Sequence, residues 1–409
     1  MHIRPILSAL RHHRIAASLI ILEIAFSCAV ICNALFLIGT RLERMQRPTG
    51  VDEAHLVEIG VRSIAPGSPE SIMATTRGDL ATLLAVPGVA NVSIVNQTLF
   101  GHSVSFSGVS LSEDSHAPST SVTQYMGNSR LFDTLGLKLV AGRQFNADEF
   151  VSDDQLEGST KSLGVPVIIT QALAQHLFPG QQAVGKILYA FGPNRVVGVV
   201  ARLVQPKDSG PAASYGYAML FPVDMPYSEG TYELKVNNPT SRQAVMQQAL
   251  KALKAEGPLR LISPKYATTL EAARNKYYRN DRAMAWLLVG VCVLLLVVTA
   301  VGIVGLSSFW VAQRRRQIGI RRAIGATRGD ILAYFQIENF LIATGGIVLG
   351  MALAYGINLL LMLHYELPRL PFYYLPIGAV SLWSLGQLAV LGPALRAAAV
   401  PPVVATRSA

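Results

Sequence analysis

Long apolar runs and one polar block alternate along this 409-residue chain. A helix needs ~20 apolar residues to cross ~30 Å of hydrocarbon, and four segments reach that length: 15–39, 284–311, 337–363 and 374–395. The first holds one charge, Glu23, the third holds Glu338 at its edge, and the second and fourth hold none. The first apolar stretch is too long for a signal peptide and no small-residue cleavage site follows it, so it is expected to stay in the membrane. The pattern predicts an α-helical membrane protein with four transmembrane helices in a one-plus-three arrangement. A mixed α/β extracytoplasmic domain of two subdomains, carried on long helical stalks, is inserted between the first two.

That domain is the block 45–265, large enough to bury its own core. Alternation at 55–63 reads as a strand. A helix follows over about 70–86, stopped by Pro87 and Gly88, then a strand at 90–98. Residues 231–236 alternate again, Thr240 or Ser241 can cap a helix running to about Glu256, and 260–263 is a strand. Two βαβ halves, about 50–100 and 225–263, thus frame an inserted subdomain at about 100–225. Segments 151–162 and 206–216 read as loops. From about Tyr266 the spacing turns helical, with Leu270, Ala273, Tyr277 and Tyr278 on one side and no Gly or Pro between Ala267 and Val289. Residues 266–311 are therefore expected to form one continuous stalk and second span. At ~1.5 Å per residue such a rod is roughly 65–70 Å long, stiff enough to carry displacement across the membrane.

Charge gives the orientation. The N-terminal segment 1–14, the loop 312–336 and the tail 396–409 together carry eleven basic residues against one acid, Asp330. Positive residues in short loops mark the cytoplasmic side, so both termini are expected inside and the large block outside. Arg41, Arg44 and Arg47 follow the first span on the far side, but the 312–336 loop outweighs them. The net charge of +10 is thereby almost wholly an orientation signal, which removes support for a nucleic-acid partner. With 51% apolar and only 15% charged residues, against roughly 25% charged in soluble domains, both free solubility and disorder are excluded.

The densest candidate chemistry is the loop. Read as a helix, Ile320, Ala323, Ile324, Thr327 and Ile331 form an apolar stripe, and Arg314, Arg321 and Arg328 recur every seven residues on one basic face. Such a helix either rests its arginines on membrane lipid phosphates or docks a cytoplasmic partner. Glu23 must face protein, carry a proton or reach a partner, since an acid at mid-bilayer costs ~2.5–3 kcal/mol on insertion scales. It reads as an interhelical hydrogen bond or as a proton or ion site, with Asn33 and Asn358 as intramembrane partners. Gly346 and Gly350 permit close helix approach. Cys28, Cys32 and Cys292 all lie in spans and read as small buried residues. Gly180–Lys186 nearly matches a phosphate-binding loop, but Ile187 stands where the magnesium-holding hydroxyl belongs, so a turn before a strand is expected. The scattered histidines offer no metal site, no G-x-S-x-G elbow marks a hydrolase, and no catalytic residue, metal or cofactor is assigned to this chain.

The stretch RRRQIGIRRAIGATRGDIL (314–332), with Glu338, Gly345, Gly346 and Gly350 after it, resembles the signature loop and third span of MacB/FtsX-type ABC transporter permeases. The tail GPALRAAAVPPVVATR (392–407) is similar to that family's closing motif, and 131–150, 165–186 and 195–203 resemble its extracytoplasmic domain. Gln317 departs from the Glu usual in the family. The resemblance implies an inner-membrane permease that works as a dimer, with an identical or paralogous second copy, above two cytoplasmic ABC ATPase subunits that bind ATP and Mg. It implies mechanotransmission: ATP-driven ATPase dimerisation is relayed through the loop and long helices to the outer domain. Arg314, Arg315, Arg316, Ile318, Ile320, Arg321, Arg322, Ala323, Ile324, Gly325, Ala326 and Thr327 would then form the ATPase-coupling element. Tripartite efflux with a periplasmic adaptor and outer-membrane channel leads. Lipoprotein release of the LolC/LolE kind, FtsX-like control of a cell-wall hydrolase and, in a different class, a membrane-bound receptor are the alternatives.

Overall fold

The computed structural model describes residues 14–399 except 65–66, 102–103, 115–118, 153–163, 209–212, 226–228, 256–259 and 366–368. The chain divides into two compact units, Pro48–Arg279 and the combination of Met1–Arg47 with Asn280–Ala409. The second unit opens with α1, Arg14–Gln46.

The α/β unit begins with β1 (Leu56–Ser63), α2 (Pro69–Leu84) and β2 (Val89–Val95). Its middle contains β3 (Phe106–Val109), β4 (Thr120–Gly127), α3 (Leu131–Leu135), β5 (Leu139–Gly142), β6 (Val151–Ser152) and β7 (Val167–Thr170). There follow α4 (Gln171–Leu177), β8 (Ile187–Tyr189), β9 (Pro193–Val200) and β10 (Ala218–Asp224). It closes with β11 (Glu229–Val236), α5 (Arg242–Ala255), β12 (Arg260–Thr269) and α6 (Leu270–Tyr277). Ser68 starts α2 by accepting from Ser71 N at 3.3 Å, with Pro69 at the first helical position, where its missing N–H costs nothing.

The two expected subdomains share one sheet, ordered β12-β1-β11-β2-β4-β10-β7-β9-β5. They join where Val95 of β2 pairs with Gly127 of β4. A Cβ at Gly127 would lie 2.6 Å from Ile94 O, so only glycine lets the strands meet there. Each half keeps its own core. Helices α2 and α5 cover Val57, Ile59, Tyr232 and Leu234 with Leu83, Val245 and Leu250. Beyond the junction Val122, Ile169, Leu173, Val196 and Phe221 form the second cluster. Residues 153–162 of the expected first loop lie outside the described residues, and Val151–Ser152 pair with β10. Gly180–Lys186 forms a turn leading into β8.

The one-piece stalk is not what the chain forms. Residues 266–269 belong to β12, where Ala267, Thr268 and Thr269 pair with Ile59, Glu58 and Val57. β-Branched threonines suit a strand, and Thr269 then caps α6 by accepting from Ala272 N at 3.2 Å. The helix stops at Tyr278, a buried non-helical residue. Tyr278 meets Phe100 edge-on at 5.8 Å and Tyr277 at 4.9 Å, and the Tyr277 hydroxyl accepts from Asp208 N at 3.0 Å. Tertiary aromatic contacts thus override a run without helix breakers. Phe100 itself has φ +61°, a rare backbone state for a bulky residue, held by its N–H donating to Pro206 O at 3.0 Å.

In the helical unit α7 spans Arg279–Gln313, α8 Arg315–Ala323, α9 Arg328–Tyr365 and α10 Tyr374–Ala398. Helices α1, α7, α9 and α10 have 33, 35, 38 and 25 residues, each long enough to cross a membrane. Without a hydrophobic driving force in lipid, close approach of small residues holds such helices together. A Cβ on Gly346 would stand 2.8 Å from Ile24 Cβ, and one on Gly350 2.5 Å from Cys28 Cβ. Cys32 likewise covers Gly378, so both fully buried cysteines serve as small packing residues. Gly350→Ala is expected to cost about 1–3 kcal/mol of stability through overpacking, read as a lower melting temperature in detergent. Gly356→Ala, with nothing within 4 Å, is the control and should be neutral or slightly stabilising.

Candidate coupling site

The basic loop folds as a helix, a turn and the start of the next helix. Helix α8 ends in a glycine cap: Gly325 has φ +106°, its N–H donates to Arg322 O at 3.2 Å, and Ala326 N donates to Arg321 O at 3.0 Å. A left-handed residue at this position stops a helix. Thr327 then starts α9 by accepting from Asp330 N at 3.2 Å, while its own N–H and hydroxyl donate to Asp330 Oδ2 at 2.9 and 2.6 Å. These reciprocal bonds form a capping box.

The expected stripe and basic face are both divided by this turn. Ile331 lies on α9 and is buried in the bundle, whereas Ile320 and Ile324 are 45% and 81% exposed. Ile318 is buried with Gly319, and Ala323, Gly325, Thr327, Arg315 and Arg316 are exposed. The arginines separate by role. Arg321 lies over the Tyr334 ring at 4.9 Å, Arg322 donates to Ala398 O of α10 at 3.0 Å, and Arg328 is exposed. Arg314 precedes α8 and is buried: its Nη1 donates to Glu338 Oε1 and Oε2 at 2.9 and 3.1 Å, and its guanidinium stands 5.8 Å from the Trp310 ring. Glu338 is 1% exposed. The pair ties the end of α7 to the first turns of α9 and fixes the direction in which α8 leaves. Sequence reading placed Glu338 at a span edge without a role; the available signal was an acid within an apolar span close to a basic cluster.

The intramembrane polar residues do not converge. Glu23 lies against Gly302 of α7, where a Cβ would sit 2.6 Å from Oε2, and one turn along Ser27 and Thr299 hydroxyls share a hydrogen bond of 2.8 Å. Asn33 Nδ2 donates to Ala354 O of α9 at 3.1 Å, and Asn358 Oδ1 accepts from Leu370 N at 2.8 Å. Glu23 and Asn33 are ten residues apart on one helix, roughly 15 Å, which explains why they take different partners.

The family model for an FtsX-like permease C-terminal region matches residues 289–402, and that for a MacB-like periplasmic core domain matches residues 19–252. The chain belongs to the MacB/FtsX family of ABC transporter permeases. A macrolide export ATP-binding/permease protein MacB from Chromobacterium violaceum is 30% identical over 66% of this chain and 41% of its own length. One named MacB 1/2, from Paracoccus denitrificans, is 25% identical over 87% of this chain and 51% of its own. The chain thus spans about a third to a half of the length of the curated relatives it matches. Among solved structures, the periplasmic region of MacB from Actinobacillus actinomycetemcomitans (16% identity, 57% of this chain, 97% of that one) and the extracellular domain of YknZ from Gram-positive bacteria (20% identity, 50% and 99%) each give a TM-score of 0.31. The assignment rests on the family models and sequence relatives. With four helices long and apolar enough to cross a membrane, the chain fits the multi-pass membrane character of this permease family.

Removing one member of a buried pair strands the other charge, which costs about 3–5 kcal/mol, whereas replacing both with apolar groups is often neutral. Glu338→Leu is therefore expected to lower stability in detergent by that amount. The double variant Arg314→Met with Glu338→Leu should recover most of it, as measured by thermal melting of the two purified proteins.

Proposed function

We propose that this permease converts ATP hydrolysis by an ATP-binding component beyond these 409 residues into movement of its MacB-like domain, in export and most specifically in tripartite efflux. The exposed Ile320 and Ile324 on a short helix anchored by the buried Arg314–Glu338 pair carry this reading. Apolar side chains held out on a rigid base suit burial by a partner, and Arg315 and Arg316 beside them suit acidic partner groups. The excess of Lys and Arg in the loop and both terminal segments supports a cytoplasmic location for α8 and both termini, the side on which ATP is available.

The relay then runs from α8 through α7 and α9. Helices α6 and α7 are separated by a single non-helical residue, Tyr278, so displacement passes through two stiff segments and a joint rather than one rod. A second permease copy completes the working dimer, ATP and Mg are held by the ATP-binding component, and a periplasmic adaptor with an outer-membrane channel receives the movement. The export names of the MacB relatives support this direction of transport.

Burying an isoleucine side chain is worth about 1.5–3 kcal/mol, so Ile324→Asp should weaken association with the ATP-binding component at least about tenfold. Ala323→Asp should act alike while both proteins stay membrane-inserted. The measurement is co-purification with that component together with permease-dependent ATPase activity. Normal binding and activity in both variants would refute docking at α8.

A further inference from the structure

Strands β1 and β11 place Glu58 and Glu233 directly opposite one another. Residues in such register share a face with Cβ atoms about 4.5–5.5 Å apart. Both are buried, at 6% and 3% exposure, and Glu58 Oε1 and Glu233 Oε2 have no hydrogen-bond partner. A buried polar atom left in this way requires an explanation. The rest of the row is neutral: Thr268 of β12 stands beside Glu58 and Ser93 of β2 beside Glu233. Tyr125 of β4 faces the pair and donates its hydroxyl to Val204 O at 2.7 Å. Gln97, Leu135 of α3, Leu203 and Leu270, the first residue of α6, line one small cavity with Glu233 and Tyr125.

Nearby cations are engaged elsewhere, Lys235 with Asp52 at 3.8 Å and Arg274 with Glu53 at 2.7 Å. Burial pushes Glu233 up to about 8. Burial, then the charge of Glu233, lifts Glu58 well above the usual carboxylate range. The Tyr125 hydroxyl is itself held protonated by burial, then by Tyr215, Glu233 and Glu58. Tyr215 is raised by burial, then by Tyr278 and Asp208, so the tyrosines bring no compensating charge.

We propose that Glu58 and Glu233 form a proton-holding pair beneath the seat of α6, which keeps that seat tight while a proton is retained and loosens it once both carboxyls ionise. Two carboxylates facing each other in an apolar interior repel and lack solvation, and they titrate as a unit. Glu58 pairs with Thr268 two residues before α6, and Glu233 shares a cavity with Leu270, so ionisation acts directly on the strand end and helix start. In the opened domain the carboxyls would release their protons near the ordinary value of 4.5. Above that value the folded domain binds more protons than the opened one. The stability from the pair is therefore complete at acid pH and falls as pH rises through about 8. In a periplasmic setting, the attachment of α6 would follow the acidity outside the cytoplasm.

Hydrogen exchange of the full chain in lipid nanodiscs, corrected for intrinsic rates, tests this between pH ~6 and ~8. The opening constant of amides in β1, β11 and α6 is expected to rise at least about tenfold per pH unit, the slope for one released proton. Amides of β7 and β9 should stay flat. Glu58→Gln or Glu233→Gln should each reduce the slope, and the double variant should abolish it. Infrared spectra of the wild-type chain at neutral pH should carry a protonated-carboxyl carbonyl band that weakens in either single variant. A flat wild-type profile, a slope that survives in both single variants unchanged, or no such band would overturn the proposal. Where a variant does not fold, the wild-type exchange profile still decides: a slope in β1, β11 and α6 with β7 and β9 flat supports the pair, and a flat profile overturns it.

Discussion

Arg314 and Glu338 are buried together, and the course of the chain through the loop follows from keeping them so. A guanidinium or a carboxylate is tolerated at such a site only beside its counter-charge. The pair therefore locks α7 to α9 across the 24 residues that separate its members. Between these fixed points there is room for one short helix, a glycine-capped turn and a threonine-capped restart. Helix α8 consequently lies against the bundle through Ile318 and Arg322, with Ile320 and Ile324 outward. For the docking proposed above, an apolar pair on a mobile loop would lose much of its binding energy to ordering, a cost that this fixed base lowers.

The same economy runs through the bundle. Glycines on α9 and α10 admit Ile24, Cys28 and Cys32 of α1 at backbone distance, while Asn33 bridges to the α9 backbone. Polar atoms meet backbone partners and small residues meet each other, which is how helices associate where water cannot drive them. In the α/β unit, by contrast, the sheet holds the structure: one glycine contact at Gly127 merges two halves, each with its own core, into a continuous surface. The helix that leaves this surface toward α7 is anchored by aromatic packing around Tyr277, Tyr278 and Phe100.

Much of this was legible in the order of residues. The four spans, the α/β block between the first two, the strands at 55–63 and 231–236 and the helices around 70–86 and 241–256 follow from period and punctuation. The stalk was misread because an absence of Gly and Pro permits a helix without requiring one, and pairing of Thr268 and Thr269 with β1 outweighed helical spacing. Gly325 was the sign of a helix end, yet the apolar stripe carried past it, since one residue at positive φ leaves no trace in a periodicity count. Glu58 and Glu233 each occupy a polar position in an alternating strand, which reads as facing solvent. Only the covering of that second face by α3 and α6 turns them inward.

Sequence by itself therefore determined the four membrane-length helices, the family and the arginine-rich segment between the second and third of them, because apolar run length and local motif are properties of neighbouring residues. Tertiary structure decided which arginine is buried, which isoleucines are offered outward, where the strand β12 gives way to α6 and where that helix ends, and which acids face each other. Those outcomes depend on residues brought together from distant parts of the chain, where burial and counter-charge rather than local pattern set the energy.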